Sequence, residues 1–384
     1  MTAPPDDEAP WSEPAARRAG TLLTIDLAAI QENYRRLRGR LAAGTACAAV
    51  VKADGYGLGA AKVGPALATA GAESFFVAQL DEGIALRAAL AEAGSAAAAV
   101  YILNGLMPGA ESDYLAHDLR PVLNNLAELA AWSAEAAGCG HPLPGALHID
   151  TGMSRLGLPD DELETLVAEP GRLEGIAPLL LMSHLACAEA PAHPLNAEQQ
   201  RLFEAARARL PALPASLANS SGIFLEPAFH YDLARPGAAL YGVNPTPGRP
   251  NPMRQVVRLQ ARILQVREID APRSVGYGAS HSVAGPTRLA TVGVGYADGY
   301  LRSLSNRGSA LIGGRKVAVV GRVSMDLITL DITAVPPELA RPGTPVELID
   351  PDSGLDRLAE EAGTIGYEIL TSLGRRYHRR YLDA

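Results

Sequence analysis

The stretch AAVVKADGYGLGA, residues 48–60, decides how this chain is read: an apolar run ends on Lys52, and turn-forming residues follow at once. A short apolar run bounded by Asp and Gly reads as a buried strand. Comparable runs recur at ACAAVVK (46–52), SFFVAQL (74–80), AAVYILN (98–104), LRPVLN (119–124), GALHIDTG (145–152), LLLMSHL (179–185), PASLANS (214–220) and RPGAALYG (235–242). Between most of them lie stretches such as DEGIALRAALAEAG (81–94), NLAELAAWSAEAAG (125–138) and NAEQQRLFEAARARL (196–210). Their apolar residues recur at helical spacing. Eight strands interleaved with helices predict an α/β fold, a (β/α)8 TIM-like barrel over residues 28–243. A doubly wound open sheet is the competitor. The barrel is preferred because Lys52, Arg155, His184, Asn219, Ser220 and Arg235 all stand where strands finish. A barrel brings all eight such ends to one face, whereas an open sheet gathers ligands mainly at a switch point.

The pattern changes after YGVNPTPGRPNP (241–252), a Pro/Gly/Asn cluster that reads as a domain linker. QVVRLQARILQVREI (255–269), RLATVGVGYA (288–297), SALIGGRKVAVVGRVSMDLITLDIT (309–333) and TPVELID (344–350) then alternate with period two between Gly turns. They predict a mainly β C-terminal domain over 247–384. The strand-like TLLTIDL (21–27) precedes the barrel pattern and is expected to pair with this domain. A final helix is expected from near DRLAEEAGTI (356–365).

Composition narrows the function. With 48% hydrophobic and 20% charged residues the chain is globular, and a net charge of −8 argues against a nucleic-acid partner. The basic GRRYHRRY (374–381) reads as a solvated face. Cys47, Cys139 and Cys187 are odd in number and lack ligand spacing, so neither a disulfide framework nor a metal site is expected. Residues 1–20, acidic and Pro-rich, read as a disordered lead-in rather than a secretory signal. No apolar stretch is long and clean enough to span a bilayer, and a cytoplasmic location is expected.

Lys52 stands out within that composition. Of 34 basic residues only Lys52, Lys62 and Lys316 are lysine. Arginine stays protonated and cannot act as an amine nucleophile or form a Schiff base, whereas lysine can. On the stretch alone, a lysine that snorkels or pairs with Asp54 is an equally good reading.

Other strings bear on the choice. IDTGMSRLG (149–157) supplies Arg155, MSHLA (182–186) His184, ANSSG (218–222) Ser220, and ARPGAALYG (234–242) Arg235 and Gly237. From the β region come VGYGAS (275–280) with Tyr277, GYADGY (295–300) with Tyr296, GRVSMD (321–326) with Met325 and Asp326, and GTIGYE (363–368) with Tyr367. Together, and in this order from about residue 21 onward, they resemble the alanine racemases.

The resemblance implies pyridoxal phosphate joined to Lys52 as a Schiff base, its phosphate held by Tyr56, Ser220, Tyr367 and the backbone amides of Gly237 and Ala238. Hydroxyls and exposed backbone amides suit a phosphate without added cations. Racemisation wants a base on each face of a planar carbanion. The resemblance assigns one face to Lys52 and the other to Tyr277 from the partner subunit of a homodimer with shared sites. It places His184 and Arg235 in a hydrogen-bonded chain to that phenol, with Arg235 also facing the cofactor's ring nitrogen. Arg155 and the Met325 amide are implied to hold the substrate carboxylate or the phenol beside it. Asn219, Tyr296 and Asp326 are implied as supporting residues. Taken singly, each has a plainer reading: a turn hydroxyl for Ser220, packing aromatics for Tyr56 and Tyr367, a core imidazole for His184, an ion pair for Arg235, a surface cation for Arg155 and a core residue for Met325.

Two positions depart from the family pattern. Seven residues before Arg155, where a carbamylated lysine commonly orients the arginine, stands His148. Leu58 stands where the glycine-rich turn usually has histidine. The expected activity is racemisation of alanine, supplying D-alanine for peptidoglycan. The alternatives are a racemase of serine, lysine or arginine, a decarboxylase on the same fold, against which Arg235 argues, and a non-catalytic pyridoxal phosphate carrier, which would lack the β domain. A sugar- or phosphate-handling barrel without cofactor would leave Lys52 and Tyr277 unexplained.

Overall fold

The computed structural model describes residue 11, residues 14–352 and residues 354–383. The chain divides into two units, Ile30–Arg254 and the flanking Met1–Ala29 with Gln255–Ala384.

In the flanking unit, β1 is Thr21–Asp26. The other unit carries β2 (Ala46–Cys47), β3 (Ala49–Val50), β4 (Ser74–Val77), β5 (Ala99–Ile102), β6 (Arg120–Leu123), β7 (Leu143–His148), β8 (Ile176–Met182), β9 (Ala215–Ser216) and β10 (Leu233–Ala234). Strands β3 to β9 pair in sequence order as a seven-stranded parallel sheet. β10 pairs in parallel with β2, and Val50 N donates to Pro236 O at 2.9 Å. On its other side Arg235 N donates to Ala218 O at 2.9 Å, so the sheet curls round and closes. Successive strand residues face opposite sides of the sheet, and on the inner side Phe76 stacks on its register partner Tyr101 with centroids 4.7 Å apart, beneath the Arg235 guanidinium. Because β3 to β9 run parallel and are joined by crossovers, these strands all end at the same mouth.

Neighbouring βα turns are laced by glutamates from the first turns of helices Leu80–Glu92, Leu126–Cys139 and Asp160–Ala168. Glu82 accepts from Ala53 N (2.6 Å), Glu128 from Leu106 N (3.3 Å) and Glu162 from Leu126 N (2.8 Å). A carboxylate at a helix N-terminus already suits the helix dipole. The same carboxylate is then also available to the preceding turn.

Two expectations need correction here. RPGAALYG is not a strand: β10 stops at Ala234, and Ala238–Tyr241 is a 3-10 turn. The expected linker 241–252 ends just before the boundary between the two units at Arg254 and Gln255. Asn33 Nδ2 donates to Arg254 O and accepts Arg254 N at its Oδ1, while Asn251 Nδ2 donates to Gly242 O, so amide side chains pin the segment to the barrel unit. Within the lead-in, residues 1–10, 12 and 13 lie outside the described residues. Pro14–Arg18 is helical with Ala16 buried, and buried Trp11 has the Arg262 guanidinium 4.1 Å above its ring.

The other unit adds β11 (Val257–Ile269), β12 (Arg273–Val275), β13 (His281–Val283), β14 (Thr287–Val292), β15 (Ser309–Ile312), β16 (Arg315–Val319), β17 (Ile328–Asp331), β18 (Pro345–Ile349) and β19 (His378–Leu382). The order β14-β17-β16-β15-β18-β11 returns on itself through β11–β14 pairing, a closed ring that leaves few open edges. β1 lies between β11, antiparallel, and β19, parallel. GRRYHRRY is therefore not merely a solvated face, because its last four residues form most of half-buried β19. The C-terminal helical stretch is two helices, Gly354–Ala362 and Gly366–Ser372.

Candidate active site

Lys52 follows β3 at the barrel mouth, and the turn after it is left-handed. Ala53, Asp54, Gly55 and Tyr56 have φ of 54°, 53°, 63° and 54°. Three of these are not glycine, and each left-handed L-residue costs about 1–2 kcal/mol. The turn is held by Gly55 N on Val51 O (2.9 Å), Gly57 N on Ala53 O (2.7 Å), Ala60 N on Asp54 Oδ1 (2.8 Å) and the Glu82 carboxylate. Burial and the Arg155 cation push the Lys52 ammonium below its ordinary pKa, against the pull of Glu82. That favours the free amine a nucleophile needs.

Tyr56 is buried, its ring stacked on Tyr241 with centroids 4.6 Å apart. Its hydroxyl presses on the backbone after β10: a Cβ on Gly237 would lie 2.2 Å from Tyr56 Oη. Buried Ser220 Oγ accepts from Gly237 N (2.9 Å) and Ala239 N (3.2 Å), across the start of the 3-10 turn at Ala238. Two hydroxyls and a run of backbone N–H groups therefore converge close to the lysine strand. The donor set and the glycine-only approach fit a phosphate group. Asn219 builds the turn, its Oδ1 accepting Gly222 N and its Nδ2 donating to Leu185 O.

Arg235 is buried at the end of β10. Its Nη1 donates to Ser216 Oγ, and its Nη2 donates to Ser183 O (2.6 Å) and lies 3.4 Å from His184 Nδ1. Among the described residues it forms no ion pair; Phe76 lies beneath its guanidinium at 5.9 Å. Burial brings Arg235 down to about 10, which still leaves it charged at neutral pH. Burial and the Arg235 and Arg155 cations push His184 well below the ordinary imidazole range. His184 is thus neutral, with Nδ1 accepting and the proton on Nε2.

The loop after β7 is shaped by Asp150, whose Oδ1 accepts Gly152, Met153 and Ser154 N at 2.9–3.1 Å. Arg155 projects from it, exposed, and among the described residues has neither ion pair nor hydrogen bond. His148 is buried, its Nδ1 2.8 Å from Asn124 Oδ1, and burial with nearby Arg235 pushes it down to about 3. It therefore supplies no negative charge for Arg155.

Within the β unit, Tyr277 caps the β12–β13 hairpin between left-handed Gly276 and Gly278 and is 73% exposed. Val275, Val283, Leu289 and Val320 anchor the hairpin beneath it. The Tyr296 and Met325 loops are zipped together, with Tyr296 N on Ser324 O and Ala297 N on Met325 O, both at 3.0 Å. Asp326 and buried Asp298 share Arg376 at 2.7 and 2.9 Å. Tyr367 lies half-buried in helix Gly366–Ser372. One group of expected residues thus gathers at the barrel mouth: Lys52, Tyr56, Arg155, His184, Asn219, Ser220, Arg235, Gly237 and Ala238. The second group belongs to the β unit. Sequence reasoning missed Glu82, Asn124, Asp150 and Ser216.

Fold and site define a class: a barrel with a lysine at the end of a mouth-lining strand, followed by a mainly β domain. Residues 25–245 match the alanine racemase N-terminal domain family, and residues 256–381 the C-terminal domain family. The alanine racemase of Rhodospirillum rubrum is 56% identical over 364 residues, spanning 95% of this chain and 96% of that protein. The catabolic alanine racemase of Mesorhizobium japonicum is 53% identical over 373 residues, spanning 97% and 95%. The crystal structure of the Bartonella henselae alanine racemase with covalently bound pyridoxal phosphate superposes with a TM-score of 0.90 at 42% identity, covering 95% of this chain and all of that one. The chain belongs to the alanine racemase family.

Proposed function

We propose that the protein interconverts L- and D-alanine with pyridoxal phosphate held on Lys52, in a homodimer with shared active sites. The observation that carries this reading is the juxtaposition of a lysine pushed toward its free amine with the Tyr56, Ser220 and Gly237 cradle. In this reading Tyr56, Ser220, Tyr367 and the amides of Gly237 and Ala238 hold the phosphate, and Arg235, kept cationic, lies toward the ring nitrogen. Bound there, pyridoxal phosphate supplies the electron sink that makes the α-proton of an amino acid removable. Lys52 Nζ takes or returns that proton on one face. Tyr277 Oη from a second copy does so on the other, with neutral His184 and Arg235 behind it. Arg155 and Met325 N bind the substrate carboxylate or its neighbouring phenol, supported by Asn219, Tyr296 and Asp326.

Purified protein is incubated with pyridoxal phosphate and L-alanine, and D-alanine is followed by chiral assay. Product from the wild type and none from Lys52→Ala is expected; a cofactor absorption band without D-alanine would move the substrate to another amino acid. Tyr277→Phe should lose α-proton exchange from one enantiomer only, and equal loss from both would count against the two-base scheme.

The proposed cellular role is D-alanine supply for peptidoglycan, in the cytoplasm; no described helix is long and apolar enough to cross a membrane. A deletion strain should require D-alanine. Growth without it, with loss only of growth on alanine, would indicate a catabolic role instead.

A further inference from the structure

We propose that Glu82 is a positioning residue for Lys52: its carboxylate fixes the left-handed turn that presents the amine. The inference rests on Lys52 being the cofactor-binding lysine. Glu82 Oε2 accepts Ala78 N (2.8 Å) and Gln79 N (3.1 Å), closing the first turn of its own helix. Capping that helix needs nothing more. Oε1 is nonetheless turned to the neighbouring strand, where it accepts Ala53 N at 2.6 Å and Asp54 N at 3.4 Å. Ala53 and Asp54 are the two residues directly after Lys52, and both are left-handed without being glycine. A backbone that disfavours this conformation holds it only when its surroundings over-determine it. One carboxylate thus spans β3 and β4 and grips the strained peptide units next to the nucleophile. The charged groups acting on Lys52 are Arg155, which disfavours its ammonium, and Glu82, which favours it; His184 near it is neutral. Glu82 therefore fixes the turn that places Nζ and, against burial and Arg155, pulls it toward the ammonium form.

The chain has only three lysines, so amine labelling can be followed residue by residue. The full-length protein, freed of cofactor with hydroxylamine, is treated with an amine-reactive acylating reagent across pH 6–11. Labelling is read by peptide mass spectrometry, with exposed Lys62 and Lys316 as internal references. Glu82→Gln should move the Lys52 midpoint to lower pH by about half a unit or more and leave Lys62 and Lys316 unmoved. Glu162→Gln, which cuts a similar lace at a turn with no nucleophile, should leave all three unmoved. A Lys52 midpoint that stays put in Glu82→Gln, or moves equally in Glu162→Gln, overturns the proposal. Should Glu82→Gln not fold, Glu82→Asp keeps the charge and shortens the reach. Its Lys52 labelling rate relative to Lys62 should change at least about threefold, and an unchanged ratio overturns the proposal. Borohydride trapping of pyridoxal phosphate on wild-type Lys52 tests the underlying reading separately, since the labelling requires no cofactor.

Discussion

Arg235 Nη2 lies 3.4 Å from His184 Nδ1, and among the described residues neither group is paired with a carboxylate. The guanidinium gives its hydrogen bonds to Ser183 O, Ser216 Oγ and that imidazole, all neutral acceptors. Its charge is therefore left uncompensated at the barrel mouth. The imidazole, crowded by cations, stays neutral and keeps one proton fixed on Nε2. A tautomer set this firmly suits a proton path whose direction does not vary with ambient pH.

His184 should accordingly not titrate near the ordinary imidazole value. In side-chain 15N NMR its two nitrogens should keep neutral-tautomer shifts from pH 8 to pH 5. Arg235→Gln removes the nearest cation and should move the midpoint upward. A wild-type midpoint near 6.5 would refute the electrostatic reading.

His148 makes a related prediction about stability. Its folded pKa is pushed down to about 3, while in the unfolded chain it titrates near 6.5. The unfolded state thus binds the extra proton between these values, so stability is full above about pH 6.5 and falls as pH drops toward 3. Between pH 7.5 and 5.5 this one group should remove about 1.4 kcal/mol. Urea unfolding of His148→Gln, which keeps a donor for Asn124, should show a pH dependence shallower by about that amount.

Gly237→Ala should damage the cradle directly. Its methyl would lie 2.2 Å from Tyr56 Oη and 3.0 Å from Cζ, in a place where the ring is fixed by stacking on Tyr241. Overpacking of this kind costs about 1–3 kcal/mol and falls on Tyr56 and the backbone at Gly237. Spectroscopic titration should show pyridoxal phosphate affinity reduced by about tenfold or more. Unchanged affinity would remove Tyr56 and Gly237 from the cofactor site.

The strained turn offers a test on a single side chain. At Ala53 (φ 54°) glycine relieves a left-handed penalty of about 1–2 kcal/mol and loses about 0.5–1 kcal/mol of chain entropy on folding, so relief outweighs loss. Ala53→Gly should therefore be as stable as wild type or more stable by up to about 1.5 kcal/mol, whereas β-branched Ala53→Val should lose about 1–2 kcal/mol or more. Denaturant midpoints compared at equal slope decide it.

Lys52 and His184 were legible because each is a polar residue ending an apolar run, a local signal that the barrel turns into a shared location; Arg235, read as the first residue of a strand, instead follows the end of β10. Glu82 was not legible. Three residues after Gln79 it reads as a helix-start residue, and its second oxygen serves a turn 28–29 residues earlier in the chain, which no local pattern reveals. RPGAALYG misled because apolar AALY is buried like a strand yet coils into a 3-10 turn beside Ser220. The 241–252 cluster was legible as the end of the barrel unit because Asn, Pro and Gly mark turns; what the sequence did not show is that Asn33 and Asn251 side chains tie those turns down. Trp11 shows the same limit in reverse. One aromatic in an acidic, Pro-rich stretch is buried under Arg262, a partner far away in sequence.

Gly295→Ala probes whether Met325 matters through its backbone. Gly295 faces the Ser324–Met325 peptide so closely that a Cβ would lie 2.3 Å from both carbonyl oxygens. Those oxygens accept Tyr296 N and Ala297 N, and buried Asp298 returns its Oδ2 to Gly295 N at 2.8 Å. A methyl cannot be accommodated by rotating a side chain, because the atoms it meets are main chain. The Met325 loop must therefore move as a unit, carrying its amide with it, while the β-barrel strands behind it keep their pairing. Pyridoxal phosphate affinity should then change little, because the cradle belongs to the barrel unit, whereas kcat/KM for alanine should fall by about tenfold or more. Met325→Leu changes only the exposed side chain and should leave kcat/KM within about twofold. Equal losses in the two variants would assign the effect to the side chain; no loss in Gly295→Ala would separate Met325 from the reaction.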